Sequence, residues 1–286
     1  TEHVVVGFRS SKPIEMTVLE KEIVVTETKV RQDVDAGVLT LTLDSPTNRN
    51  ALSTTLVTQL GSGLAEAARN PDVRAGVLTH TGGTFCAGAD LSEALASGAT
   101  PEQASAQGTG AMIALMRSIL ELPKPVIARI DGHVRAGGFG LVAAADIAIG
   151  GPACTFALTE SRLGLAPAVI SLTVLPRLSS RAASRYFLTG EKFGPGQAVE
   201  IGLLTAAADD AEGIDAHMTD VLTGVRKASP QGLAASKALT TEHVLATFAD
   251  SSARRAEESA ALFGTDEAHE GMTAFLSKRK PAWDLT

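Results

Sequence analysis

The chain has 286 residues, 44% of them hydrophobic and 20% charged, the make-up of an ordinary soluble globular protein with a substantial core. A formal charge of −7 and the lack of any long Lys/Arg block argue against a nucleic-acid surface; an anionic ligand would be met by local basic groups. The two cysteines, Cys86 and Cys154, make neither a disulfide framework nor a zinc spacing, which fits a reducing compartment.

Residues 1–16 lack the basic and continuously apolar regions of a secretory signal and read as an irregular extension, taken here as 1–20. No apolar run approaches the roughly 18 residues of a membrane helix, so no membrane and a cytoplasmic location are expected. Strands are expected over 23–30 and 37–43, the second alternating apolar and Thr residues. A turn cluster over 44–50 follows, and Ser53 or Thr54 caps a helix carrying Leu56, Leu60, Leu64 and Ala67. Asn70-Pro71-Asp72 stops it.

The run 75–80 is a strand ending in a first glycine turn, 84–91. A polar, mobile-looking stretch over 97–110 is followed by a helix from about 111 to 122. The strand 125–130 leads to a second glycine turn, 135–140, which opens a small-residue helical stretch. A short strand at 146–149 precedes the segment 155–160. From Ala168 almost everything reads helical, punctuated by Gly190, Gly194-Pro195-Gly196, Pro230 and Gly264. Strand-strand-helix units followed by helices define an α/β layered core with a helical C-terminal part.

Three features carry chemistry. Gly137 and Gly138 permit close backbone approach at a helix start, where unpaired N–H groups and the positive dipole end can meet an oxyanion. A plain strand-to-helix turn would need the same glycines. Gly88 could present the Ala89 N–H in the same way, or simply begin a helix capped by Asp90. Glu160 is the one carboxylate placed to move protons beside such donors.

The two turns together resemble the enoyl-CoA hydratase/isomerase (crotonase) superfamily, over roughly residues 20–286. The resemblance rests on Leu43-Asp44-Ser45-Pro46 with Asn50-Ala51-Leu52, Phe85 to Leu91, Lys124 to Ala128, Gly137-Gly138, and Phe156 with Glu160 and Leu163-Gly164. It continues through Leu188-Thr189-Gly190 and Gly202-Leu203 to Glu270-Gly271-Met272 and Phe275 to Pro281. It implies an α/β crotonase (ClpP-like) fold of repeated ββα units. The acyl-CoA core would span 21–206 and a helical segment, 207–286, would form homotrimers or hexamers.

The resemblance further implies that the Ala89 and Gly137 N–H groups hold the thioester oxygen and that Glu160 transfers the proton. Substrate contacts are implied for Arg49, Ala87, Asp90, Leu91, Gly138, Gly140, Phe275 and Lys278, the last reaching CoA in a neighbouring subunit. CoA arrives as part of the substrate, with no metal or redox cofactor. Relatives that hydrate efficiently carry a second glutamate, and that position is Gly140 here. Some acyl-CoA hydratases, including ones resembling bacterial 3-methylglutaconyl-CoA hydratases, tolerate glycine there. An isomerase needs one carboxylate, and a non-catalytic acyl-CoA binder needs none. Hydratase is the leading expectation.

His133 reads as a turn residue, Cys86 as a small buried hydrophobe, and Arg135 as a surface cation or a partner for a substrate carboxylate.

Overall fold

The computed structural model describes residues 27–90, 93 and 101–286; the expected extension 1–20, most of the expected strand 23–30, and Leu91 lie outside them. The first described strand is β1 (Val30–Asp35), antiparallel to β2 (Val38–Leu43). A tight turn at Ala36 and Gly37, with φ of 44° and 80°, joins them and fixes their register. Of the expected strand at 23–30, the described residues 27–29 lie outside any strand and β1 begins at Val30. Only Val30 of β1 is buried, so its sequence lacked the apolar rhythm that marks a strand.

Helix α1 (Thr54–Arg69) begins where expected. Ser53 Oγ accepts the Leu56 N–H, and Leu56, Leu60, Leu64 and Ala67 form its buried stripe. At its other end Lys124 Nζ donates to the Ala67 and Asn70 carbonyls, both at 2.6 Å, supplying a cation where the helix dipole favours one.

Three strand-strand-helix units follow. β3 (Ala75–His80) and β4 (Thr84–Cys86) precede α2 (Pro101–Glu121). β5 (Val126–Ile130) and β6 (His133–Arg135) precede α3 (Gly137–Ala144). β7 (Ile147–Gly150) and β8 (Thr155–Ala157) precede a 3-10 turn, Glu160–Leu163. The first member of each pair joins a six-stranded sheet, ordered β1-β2-β3-β5-β7-β9, and the second joins a three-stranded sheet, β4-β6-β8. Past the opening hairpin every pairing in both sheets is parallel.

Helix α2 starts at Pro101, not near 111. Proline is pre-set for a first helical turn, while the Ala, Gln, Ser and Gly residues that follow carry no apolar stripe to betray the helix.

Helices α4 (Ser171–Val174), α5 (Ser180–Thr189) and α6 (Pro195–Glu200) come next. A two-residue strand, β9 (Ala206–Ala207), then pairs with β7 inside the stretch expected to be helical, straddling the expected boundary at 206. α7 (Ala211–Lys227), α8 (Pro230–Phe263) and α9 (Asp266–Leu276) complete the chain. Among the described residues no helix is long and apolar enough to cross a membrane.

Phe85, Phe139 and Phe156 are fully buried, and Phe139 meets Phe156 edge-on with ring centroids 5.9 Å apart, pinning α3 to the small sheet. The 34-residue α8 is tied to this core by one buried cation. Lys237 Nζ donates to the Ile119 and Lys124 carbonyls at 2.7 and 3.1 Å and pairs with Asp146 Oδ2 at 2.8 Å. Asp146 Oδ2 also accepts the Val126 N–H at 2.7 Å. All three ammonium protons are thus engaged. Lys237→Ala, which strands the Asp146 carboxylate, is expected to cost about 3–5 kcal/mol in urea denaturation. Exchanging a surface lysine such as Lys192 should cost almost nothing.

Candidate active site

The three strands of the small sheet are parallel, so their carboxyl ends share one edge. Register places Cys86 beside Val134, and Val134 beside Phe156. The chain leaves these strands into Gly88-Ala89, Ala136-Gly137 and Thr159-Glu160 respectively. Three separate sequence motifs thereby converge on one locus, the position where ligands characteristically meet parallel sheets.

The first turn is held by a neighbour in the fold that is distant in sequence, the 45–52 loop. Ala87 N donates to Arg49 O at 3.1 Å and Leu52 N to Gly88 O at 2.8 Å. Asn50, fully buried, fastens that loop: its Oδ1 accepts Ser45 N, while its Nδ2 donates to Thr81 O and Thr84 O. Asp90 Oδ1 accepts the Glu93 N–H at 3.2 Å as a helix cap, and its Oδ2 accepts from Asn48 at 3.0 Å. Asp90 thus orders the turn, whatever else it does.

The second turn carries backbone strain. Ala136, which precedes α3, has φ 42° and ψ −119°, a region costly for a residue with a side chain. The two turns touch: at Gly88, φ 94°, a Cβ would lie 2.7 Å from Ala136 Cβ. Gly137 is crowded less rigidly: a Cβ there would lie 2.5 Å from Leu52 Cδ1, the end of a side chain that can turn. Among the described residues neither the Ala89 nor the Gly137 N–H is taken up by a hydrogen bond. At the far end of α3, Arg177 donates to the Ala143 and Ala145 carbonyls, both at 3.0 Å, leaving the positive helix end facing the turn.

Glu160 opens the 3-10 turn. Its Oε2 is buried with no hydrogen-bond partner, although the residue as a whole is only half-buried. Burial raises its pKa to about 7, only partly opposed by its own backbone N–H. A carboxyl in this state is poised to take up and release protons near neutral pH.

Gly140 sits one turn into α3, and its surroundings explain the missing acid. A Cβ there would lie 2.7 Å from both Met112 Cε and Met116 Sδ and 2.9 Å from Ile170 Cγ2. The space that relatives give to a second glutamate is filled by a thioether and aliphatic wall. Its carbonyl accepts from Thr173 Oγ1 at 3.2 Å. Met112 Sδ would also lie 3.8 Å from a Cβ on Gly137, so the same side chain borders both positions. Met112, Met116 and Ile170 were not singled out in the sequence, and Leu52 entered only as the end of a family motif. Residues of this type are ordinary core formers, and only their meeting at Gly140 and Gly137 gives them meaning.

The other expected residues are distributed as follows. Arg49 is exposed, with φ 60°, on the loop that binds Ala87. Gly138 is buried against Cys86 and Val134. Phe275 and Lys278 are exposed at the end of α9. Arg135 is turned away: its guanidinium donates to the Val134 and Thr155 carbonyls and to Thr155 Oγ1, clamping β6 to β8 rather than waiting for a substrate carboxylate. His133 shares the same threonine at 2.9 Å. Cys86 is buried, its thiol pKa pushed up to about 12 by desolvation, which disqualifies it as a nucleophile.

An α/β fold of paired sheets, with two open backbone donors and one buried carboxyl at a shared edge, is that of the crotonases. The family model described as enoyl-CoA hydratase/isomerase matches residues 33–285, and the chain belongs to this family. The crystal structure of an enoyl-CoA hydratase from Mycobacterium avium is similar, with TM-score 0.83 and 56% identity over 91% of this chain and all of that one. An enoyl-CoA hydratase of Alternaria alternata is 35% identical over 205 residues, 72% of this chain and 67% of its own length. The 1,2-epoxyphenylacetyl-CoA isomerase of Escherichia coli is 30% identical over 260 residues, 87% of this chain and 95% of its own.

Two outcomes follow from this geometry. Gly140→Glu should not restore a second acid; overpacking and an unpartnered buried carboxyl should together cost roughly 3 kcal/mol or more in thermal or urea unfolding. Glu160 binds its proton more tightly folded than unfolded, so wild-type stability falls as pH rises from about 4.5 through about 7. Glu160→Gln lacks that loss and should gain on wild type by about 2 kcal/mol between pH 5 and pH 8, read from denaturation midpoints.

Proposed function

We propose that the protein is an enoyl-CoA hydratase that adds water reversibly to a 2-enoyl-CoA thioester. The observation that carries this reading is the Glu160 carboxyl, its Oε2 buried and unpartnered, at the same sheet edge as two backbone donors unused among the described residues. The hydratases among its relatives support it.

In this mechanism the thioester carbonyl accepts from the Ala89 and Gly137 N–H groups. Ionised Glu160 takes a proton from water as the oxygen bonds to C3. The C2–C3 π electrons move onto the thioester oxygen, giving an enolate that the two donors and the α3 dipole stabilise. The enolate collapses, and C2 takes the proton that Glu160 has just acquired. One carboxylate thus serves first as base and then as acid, and the hydroxyl and the hydrogen of water add to the same face. Dehydration runs the same steps backward and needs the same ionised form.

Ala87, Gly138 and Gly140 would line the acyl and pantetheine path, with Asp90 ordering it. Arg49 is placed on an exposed loop, where it can meet CoA phosphates. Phe275 and Leu276, 57% and 56% exposed beside Lys278, fit contact with a neighbouring subunit in a homotrimer or hexamer.

The Gly140 wall favours a second reading, isomerisation of a 3-enoyl-CoA, in which Glu160 carries a proton between C4 and C2 and no water is held. Crotonyl-CoA and 3-methylglutaconyl-CoA should lose their conjugated absorbance with the protein. Turnover of a 3-enoyl-CoA alone would replace the first reading by the second, and binding without turnover would leave an acyl-CoA carrier. Glu160→Gln should lower kcat by ~10²–10⁴-fold. The hydration kcat/KM should rise with pH through about 7 and then level, because the reacting form is the carboxylate.

A further inference from the structure

The Glu160 side chain has no polar anchor: none of its hydrogen bonds to a described group fixes Oε2, so its place depends on how the turn beneath it is held. Within the turn, the Glu160 carbonyl accepts from Gly164 N and Leu165 N. Helix α5 supports one side, where Arg162 Nε donates to Thr189 O at 2.9 Å and Ser161 Oγ to Leu188 O at 3.3 Å. Helix α9 supports the other without hydrogen bonds, by direct backbone contact. A Cβ on Gly271 would lie 2.5 Å from the Leu163 carbonyl carbon and 2.7 Å from its Cα. A Cβ on Gly164, whose φ is 70°, would lie 2.6 Å from the Glu267 carbonyl carbon. Those neighbours are main chain, which cannot rotate out of the way. Glycine on both sides of a contact is what such an approach requires.

The segment after α9 folds back onto the same helix. Arg279 pairs with both oxygens of Glu270, at 2.6 and 2.7 Å, and Ala282 N donates to Glu270 Oε1 at 2.9 Å. The Glu-Gly pair at 270–271 and the Arg at 279 thus act together, one residue seating the helix and its neighbours latching the tail.

We propose that Gly271 is a positioning residue for Glu160: its bare Cα lets helix α9 lie against the 160–163 turn and hold the carboxyl in its dry setting. The Glu270–Arg279 latch keeps that helix seated. This rests on Glu160 being the proton carrier. The charged groups on the packed elements are Arg162 on the turn and Asp266, Glu267, His269 and latched Glu270 on α9. Arg181 and Arg185, the latter paired with Glu191, lie on α5, and Lys278, Arg279, Lys280 and Asp284 lie in the tail, Asp284 near Arg162. None of these charges shifts Glu160 appreciably; water exclusion dominates. Displacing α9 should therefore let water in and return the carboxyl toward the ordinary range.

Difference infrared titration, each protein minus its own Glu160→Gln form, follows this one carboxyl without reference to turnover. With Gly271→Ala its midpoint should fall from about 7 by about one pH unit or more, and the kcat/KM profile should move with it. Arg279→Ala, which leaves α9 itself intact, should move the midpoint in the same direction by less. It stands in if Gly271→Ala does not fold. A folded Gly271→Ala, or in its absence a folded Arg279→Ala, with an unmoved midpoint overturns the proposal. Wild type that fails to turn over any enoyl-CoA, yet shows the infrared shift, overturns the catalytic reading alone.

Discussion

Parallel pairing in a sheet of nine residues governs this molecule. β4, β6 and β8 are three residues each, too short to stand alone, and they survive because each continues from a longer strand of the main sheet. Their shared direction puts two glycine turns and one glutamate at a common edge. Reverse any one strand and its motif would leave at the opposite end. The clamps around that edge serve the same end: Arg135 locks β6 to β8, and Asn50 binds the preceding loop to the mouth of β4. Side chains that could be mistaken for catalytic groups are spent on holding strands in register.

The carboxyl at that edge owes its chemistry to what surrounds it rather than to a charged partner. A carboxylate stripped of water and opposed only by its own backbone N–H holds its proton to near neutrality. Paired backbone amides supply the complementary half, since they meet a developing negative charge without needing a counter-ion. The overall −7 charge of the chain is thus no obstacle to forming an enolate.

Much of this was legible in the sequence. The caps at Ser53 and Asn70 and the strand 75–80 carry strong local signals and appear as read; the glycines at 88 and 137 do follow strand ends, although Thr84–Cys86 and Arg135 belong to β4 and β6. The resemblance to crotonases supplied Glu160 its partners. The small sheet was not legible, because three residues give no period to detect. The early start of α2 was missed because its first turns lack an apolar stripe, and β1 because nearly all of it faces solvent. Neither could any window of sequence reveal the wall of Met112, Met116 and Ile170, whose members lie far apart in the chain and meet only at Gly140. Glycine there could be read as an omission. In three dimensions the position is occupied from outside.

That occupancy bears on redesign. A glutamate placed at 140 would meet two methionines from α2 and an isoleucine from the segment before α4, so giving this edge a second acid means recarving those neighbours together with position 140. As it stands, the site is shaped for reactions that one proton carrier can complete.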